Sequence, residues 1–96
     1  MMTVVVYDIA SSEPGGAKRL RQVAKACANR GVPVQDSVYE CQINAEEYRQ
    51  LRARLEQLID PERDSVRFYL LGNRYQNRIQ TLGVDRVRWD RETFVL

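Results

Sequence analysis

The chain opens on Thr3-Val4-Val5-Val6-Tyr7-Asp8, a β-branched run with no polar residue among its valines. A strand with one wet face alternates apolar and polar positions, so an unbroken run predicts a strand covered on both faces. Ser11-Ser12-Glu13-Pro14-Gly15-Gly16 is dense in turn formers and reads as a loop. From Ala17 to Arg30 the period becomes helical. Leu20, Val23, Ala24 and Cys27 share one side, and Lys18, Arg21, Gln22 and Lys25 take the other. Gly31 is placed to end this helix, and Pro33 blocks its continuation.

Val34 to Ile43 returns to strand spacing, with Tyr39, Cys41 and Ile43 on one face and Val38, Glu40 and Gln42 on the other. Asn44 with Glu47 is a capping-box pair, and it opens a helix whose stripe is Tyr48, Leu51, Leu55, Leu58 and Ile59. Arg49, Arg52 and Glu56 lie on that helix's outer face, and Asp60-Pro61 stops it. After the polar turn Glu62-Arg63-Asp64, Ser65 to Leu71 sets Val66, Phe68 and Leu70 against Arg67, Tyr69 and Leu71. Gly72-Asn73-Arg74 is a turn, and Ile79 to Val84 and Thr93 to Leu96 are expected as short final strands.

The segment Val34 to Ile43 is long enough for a bent strand or a tight hairpin. A hairpin gives the order β-α-β-β-α-β, the ferredoxin-like α+β arrangement in which two helices cover one face of an antiparallel sheet. The 96 residues then form one domain, with 1–71 as its core and 72–96 as a tail for dimer or partner contacts. Two helices cover only one sheet face, yet the first strand and the Phe68 strand carry apolar residues on both. A second copy of the chain is the simplest cover, which predicts a homodimer with its sheets face to face. The apolar C-terminal strand would add to the partner's sheet edge.

Composition narrows the chemistry. Hydrophobic residues make up 44% of the chain, enough for a core and too many for a disordered segment. No apolar run reaches the length of a membrane helix and no secretory signal is legible, so the expected address is the cytoplasm. Fifteen basic residues against thirteen acidic ones give a net charge of only +2. All basic residues except Lys18 and Lys25 are arginines. Arginine's planar fork suits phosphate, and genomic composition bias explains the same preference equally well. Arg19, Arg21, Arg74 and Arg78 are candidate phosphate contacts. The absence of histidine excludes Ser-His and Cys-His nucleophile pairs, a histidine base and His-ligated zinc. Cys27 and Cys41 form no CxxC pair and read as small buried hydrophobes.

Asp8 ends the first strand beside a glycine-bearing loop. A carboxylate there has two readings. It can cap the turn through Ser11 or Ser12. It can also ligate Mg²⁺ or Mn²⁺, for which one carboxylate is a poor site unless a two-fold axis brings Asp8 to its own copy.

Val4-Val5-Val6-Tyr7-Asp8-Ile9, Val34-Gln35-Asp36-Ser37-Val38-Tyr39-Glu40 and Asp64-Ser65-Val66-Arg67-Phe68-Tyr69, in this order, resemble the CRISPR-associated protein two family. The resemblance covers nearly the whole chain. It implies a ferredoxin-like homodimer, a metal-dependent endonuclease acting on RNA or double-stranded DNA, and the non-catalytic core of the spacer-acquisition complex. In that complex the dimer would hold duplex DNA between copies of the CRISPR integrase, CRISPR-associated protein one. The resemblance thus implies duplex DNA, bound without sequence preference, as the ligand of Arg19, Arg21, Arg74 and Arg78. Asp8 falls on the family's metal-binding aspartate, which implies Mg²⁺, with Mn²⁺ as the alternative, shared with Asp8 of the dimer mate. Tyr7, Ser37 and Tyr39 match positions lining the dimer cleft, and Lys18, Arg19 and Arg21 match a region where the family keeps arginines. The chain departs from the family at Val32-Pro33-Val34, where many members carry a basic residue. That departure weakens the case for strong ribonuclease activity. A stand-alone toxin-like endoribonuclease of the same fold is the alternative reading.

Overall fold

In a computed structural model, which describes residues 1–85, the valine run forms β1 (Met2–Asp8) at the inside of a four-stranded sheet. The remaining elements follow as α1 (Gly16–Ala28), β2 (Val32–Gln35), β3 (Val38–Gln42), α2 (Ala45–Leu58) and β4 (Ser65–Gly72). The sheet order is β2-β3-β1-β4 and every pairing is antiparallel. This is the expected β-α-β-β-α-β order, and the hairpin is the reading that holds for the middle segment. Its turn falls at Asp36-Ser37, where Ser37 adopts φ 64, in the left-handed region. The Ser37 carbonyl accepts the Tyr7 amide at 3.1 Å, so the hairpin turn is fastened to β1.

Both helices pack on one face of the sheet. Val23 and Cys27 of α1 and Leu51 and Leu55 of α2 meet Val5, Tyr7, Tyr39, Cys41 and Ile43 in a buried core. Period-two alternation sends Val4, Val6 and Val38 to the other face, where the single chain leaves them only half-buried. Fully burying a valine contributes about 1.5 kcal/mol or more, so completing the burial of a half-buried one contributes roughly half of that, and this face favours a cover.

Several local expectations are met in detail. Asn44 and Glu47 complete a reciprocal capping box at the start of α2, with bonds of 2.8 and 3.0 Å. Arg52 pairs with Glu56 one turn on, at 3.2 Å, and also donates to the Tyr48 hydroxyl. Gly31 plays a different part from the one expected. Helix α1 already ends at Ala28, with Asn29 as its cap. A Cβ on Gly31 would sit 2.3 Å from the Glu40 carbonyl oxygen and 2.6 Å from Cys41 Sγ. Glycine is therefore required by the close approach of β2 to β3. Gly31→Ala is expected to destabilise the protein by about 2 kcal/mol, because backbone must shift to admit the methyl. A thermal or urea midpoint equal to that of wild type would contradict this.

Cys27 and Cys41 are free thiols with no exposed surface. Burial pushes their pKa values up to about 12 and about 11. No helix among the described residues is long and apolar enough to cross a membrane.

The strand expected from Ile79 to Val84 does not form. A short 3-10 turn at Gln76–Arg78 precedes it, and the residues that follow pair with no strand. Leu82 and Val84 are 100% and 73% exposed. Alternation alone does not make a strand, and this segment joins neither β2 nor β4, the edges of the sheet among the described residues. The strand expected at Thr93 to Leu96 lies outside the described residues.

Candidate functional site

The candidate site is the end of β1 and what surrounds it. Asp8 pairs with Ser65 across the β1–β4 ladder, and Val6 pairs with Arg67. Opposed residues share a face, and so do residues two apart along a strand. Asp8, Ser65, Val6 and Arg67 therefore lie together on the face the helices leave open. Val6, Asp8, Ser65, Arg67 and Tyr69 line a shallow cleft there.

Asp8 is exposed, and its carboxylate makes no hydrogen bond or ion pair among the described residues. The turn-capping reading fails on this point. The loop after β1 is held by other groups: Ser11 N–H donates to the Ile9 carbonyl at 2.7 Å, and Ala10 N–H donates to the Asp64 carboxylate at 2.9 Å. Asp64 is the carboxylate that holds this turn. Its side chain is fully buried and accepts from Ala10 N–H, from Asp60 N–H at 2.9 Å and from Arg19 Nε at 2.7 Å. Burial alone would raise its pKa. The Arg19 guanidinium and the two backbone amides outweigh burial and bring it down to about 2. One carboxylate thus ties the loop after β1, helix α1 and the α2–β4 turn into a rigid seat behind Asp8.

The other expected site residues divide. Tyr7 borders the cleft along its strand but is only 6% exposed, and its ring stacks on Tyr39 with centroids 6.2 Å apart. Burial first, and then neighbouring Tyr39, pushes the Tyr7 hydroxyl up to about 12, so it stays protonated. Tyr39 belongs to the helix-covered core. The expectation that it lines the cleft is corrected, because strand alternation sends its ring to the face opposite Asp8. Ser37 sits half-buried in the hairpin turn and contributes its carbonyl to β1. Arg19, expected among the nucleic-acid contacts, commits its guanidinium to Asp64 with 16% of the side chain exposed. That too is a correction, since a carboxylate already occupies the fork a phosphate would need. Lys18 and Arg21 on α1, and Arg74 and Arg78 after β4, are exposed as a phosphate contact requires.

No group of three or more His, Cys, Asp or Glu among the described residues could hold a metal ion. One chain offers a cation a single carboxylate, a donor set too small for Mg²⁺ unless a second copy supplies another.

Two residues of this end were not singled out from the sequence. Asp64 read as a solvated turn residue, and no local signal marks its burial, because its partners Ala10 and Arg19 are 54 and 45 residues away. Arg67 was assigned to the correct strand face, but only the β1–β4 register places it beside Asp8.

The chain matches the family model for CRISPR associated protein Cas2 over residues 1–79. It is 46% identical over 83 residues to the CRISPR-associated endonuclease Cas2 of Halalkalibacterium halodurans, covering 86% of each chain. It is 40% identical over 96 residues to the CRISPR-associated endoribonuclease Cas2 of Chlorobaculum tepidum, covering both chains in full. Its fold superposes on the crystal structure of Streptococcus pyogenes Cas2 with a TM-score of 0.75 and 49% identity, covering 86% of this chain and all of that one. With the element order, the helix-free sheet face and the strand-end aspartate already established, these matches place the chain in the Cas2 family of CRISPR-associated proteins.

Proposed function

We propose that two copies of this chain pack through their open sheet faces and hold duplex DNA as the core of a CRISPR spacer-integration complex. Divalent-metal-dependent cleavage of DNA or RNA phosphodiesters at Asp8 is a second activity of the same dimer. One observation carries this reading: the uncovered sheet face ends in a carboxylate that has no partner among the described residues. Val4, Val6 and Val38 give a second copy an apolar surface to cover, and a two-fold axis through that surface can bring Asp8 to Asp8.

The Asp8 carboxylates of the two copies would hold a Mg²⁺ or Mn²⁺ ion, which supplies Lewis acidity and a bound water of lowered pKa. Everything else is the work of the chain. Asp64 fixes the loop behind Asp8, and Tyr7, neutral and buried, packs beneath the strand that carries it. The described residues offer no histidine base, which fits a slow or conditional activity. Exposed Lys18, Arg21, Arg74 and Arg78 give the dimer spaced cations for phosphates, and such contacts confer affinity without sequence information. The integrase, CRISPR-associated protein one, would bind through the C-terminal tail.

Sedimentation and a salt titration of duplex binding test the scaffold role. The chain should sediment as a dimer at micromolar concentration. Log affinity should fall linearly with log salt, by about 0.9 per phosphate contact, with and without the integrase. Arg21→Ala should reduce that slope by about one unit on every sequence alike. Arg52→Ala should change it less, because Arg52 is already bonded to Glu56 and Tyr48. A stable monomer, or a flat salt response, would rule the scaffold out.

A further inference from the structure

We infer that Arg67 is a phosphate-binding residue of the Asp8 cleft, held in position by the Tyr69 hydroxyl, and that its ligand is a backbone phosphate of a bound nucleic acid. The inference rests on reading the Asp8 end as the phosphodiester site.

The argument begins with charge. A phosphate that approaches Asp8 meets a carboxylate of its own sign, so the cleft needs a cation to accept it. Arg67 is the cationic side chain among the residues that line the cleft. It opposes Val6, two positions from Asp8, which offsets its backbone position by about 7 Å along the strand direction from that of Asp8, on the neighbouring strand. It is exposed, and among the described residues β4 is an edge strand, so Arg67 sits at the rim of the open face.

Its partner sets Arg67 apart. Arg19, Arg30, Arg49, Arg52 and Arg63 are each paired with a carboxylate. Arg67 instead donates from Nη1 to the Tyr69 hydroxyl at 3.0 Å, with its guanidinium carbon 5.9 Å from the Tyr69 ring centroid. A hydroxyl and a ring face fix the side chain without neutralising it. Among the described residues the remaining guanidinium donors stay available in a planar fork, the geometry that phosphate oxygens accept. Positioning by a neutral group with the charge left whole is what anion binding asks of an arginine. A structural arginine on a solvated face has no use for it.

The test is a double-mutant cycle on binding of a fluorescein-labelled DNA duplex in EDTA, where cleavage plays no part. Arg67→Ala should weaken binding about tenfold and lower the salt slope by about 0.9. Asp8→Asn should strengthen metal-free binding by removing the repulsion. That gain should shrink when Arg67 is alanine, because both residues face the same phosphate. Arg67→Lys should recover the slope but only part of the affinity, and Tyr69→Phe should lose affinity while keeping the slope. Additive effects of Asp8→Asn and Arg67→Ala, or an Arg67→Ala protein that binds as wild type does, would overturn the inference and leave the scaffold reading standing. Dissociation of the dimer in Arg67→Ala would overturn it too, by making Arg67 a contact between copies. A wild-type protein that cleaves nothing but shows the coupling would remove the nuclease reading and keep the phosphate site. A wild type that binds no duplex would remove both.

Discussion

Asp64→Ala should lower the unfolding free energy by about 3 kcal/mol or more, a large share of the 5–15 kcal/mol typical of a domain this size. The substitution strands Arg19, a charge whose side chain is 16% exposed, and leaves the Ala10 and Asp60 amides without their acceptor. An uncompensated charge and unpaired donors are among the most destabilising things a single mutation can leave behind. Asp64→Asn is the sharper control. It keeps an acceptor for an amide but replaces the second oxygen with a donor, so it should fall between alanine and wild type. The same carboxylate makes stability depend on acid. Its folded pKa, about 2, lies below the ordinary 3.8, so the folded state binds its proton less readily than the unfolded chain does. The contribution, about 2 kcal/mol, is fully present above the ordinary value and drains away as pH falls toward the folded one. Urea titrations across that window should show wild type losing stability steeply and Asp64→Ala losing it much less. Parallel curves for the two proteins would deny Asp64 its role.

Asp8→Asn should behave in the opposite way. Asp8 makes no hydrogen bond or ion pair among the described residues, so folding should change by less than about 0.5 kcal/mol. Metal-dependent cleavage should fall by roughly a hundredfold or more, since even residues that only support a ligand alter metal sites by ten to a hundredfold. Asparagine keeps the size and gives up the charge that attracts a hard cation. Cleavage of labelled duplex DNA and of single-stranded RNA, each in Mg²⁺, Mn²⁺ and EDTA, reads the effect directly. Full activity in the purified variant would remove Asp8 from the metal site. A metal-free dimer tighter in Asp8→Asn than in wild type would independently place the two carboxylates face to face, because the substitution ends their repulsion.

These two aspartates mark where the sequence was legible and where it was not. Helix α2 is fixed by short-range chemistry, a capping box at Asn44 and a stripe at three- and four-residue spacing, and both are visible in one stretch of chain. Alternation likewise assigns Val5 and Tyr7, and Tyr39 and Cys41, to common faces without any knowledge of their neighbours. Asp8 is legible as a candidate because a strand end is a position along the chain, and the family resemblance falls on it. What failed depends on distant partners. The burial of Asp64 is decided by Ala10 and Arg19, so a residue that looks like turn polarity becomes a clamp, and an arginine that looks like a phosphate contact is already occupied. Gly31 was correctly marked as special but for a local reason, helix termination, when the cause is the approach of another strand. Ile79 to Val84 shows the converse: a strand pattern is legible locally, but whether it joins a sheet edge is decided by the distant strands β2 and β4, and it joins neither.

The two core thiols carry a practical consequence. Alkylating reagents attack thiolates, and neither Cys27 nor Cys41 has surface or ionisation to offer in the folded state. Each can be labelled only when the chain opens around it, so the labelling rate is a clock for opening events under native conditions. Cys27 lies on α1 and Cys41 on β3, one in each layer of the molecule. Equal rates at the two positions would mean that helix and sheet come apart together, as one cooperative unit. A faster rate at Cys27 would mean that the helix lifts from the sheet while the strands remain paired, and the difference in rate would give the free energy between those two opened states.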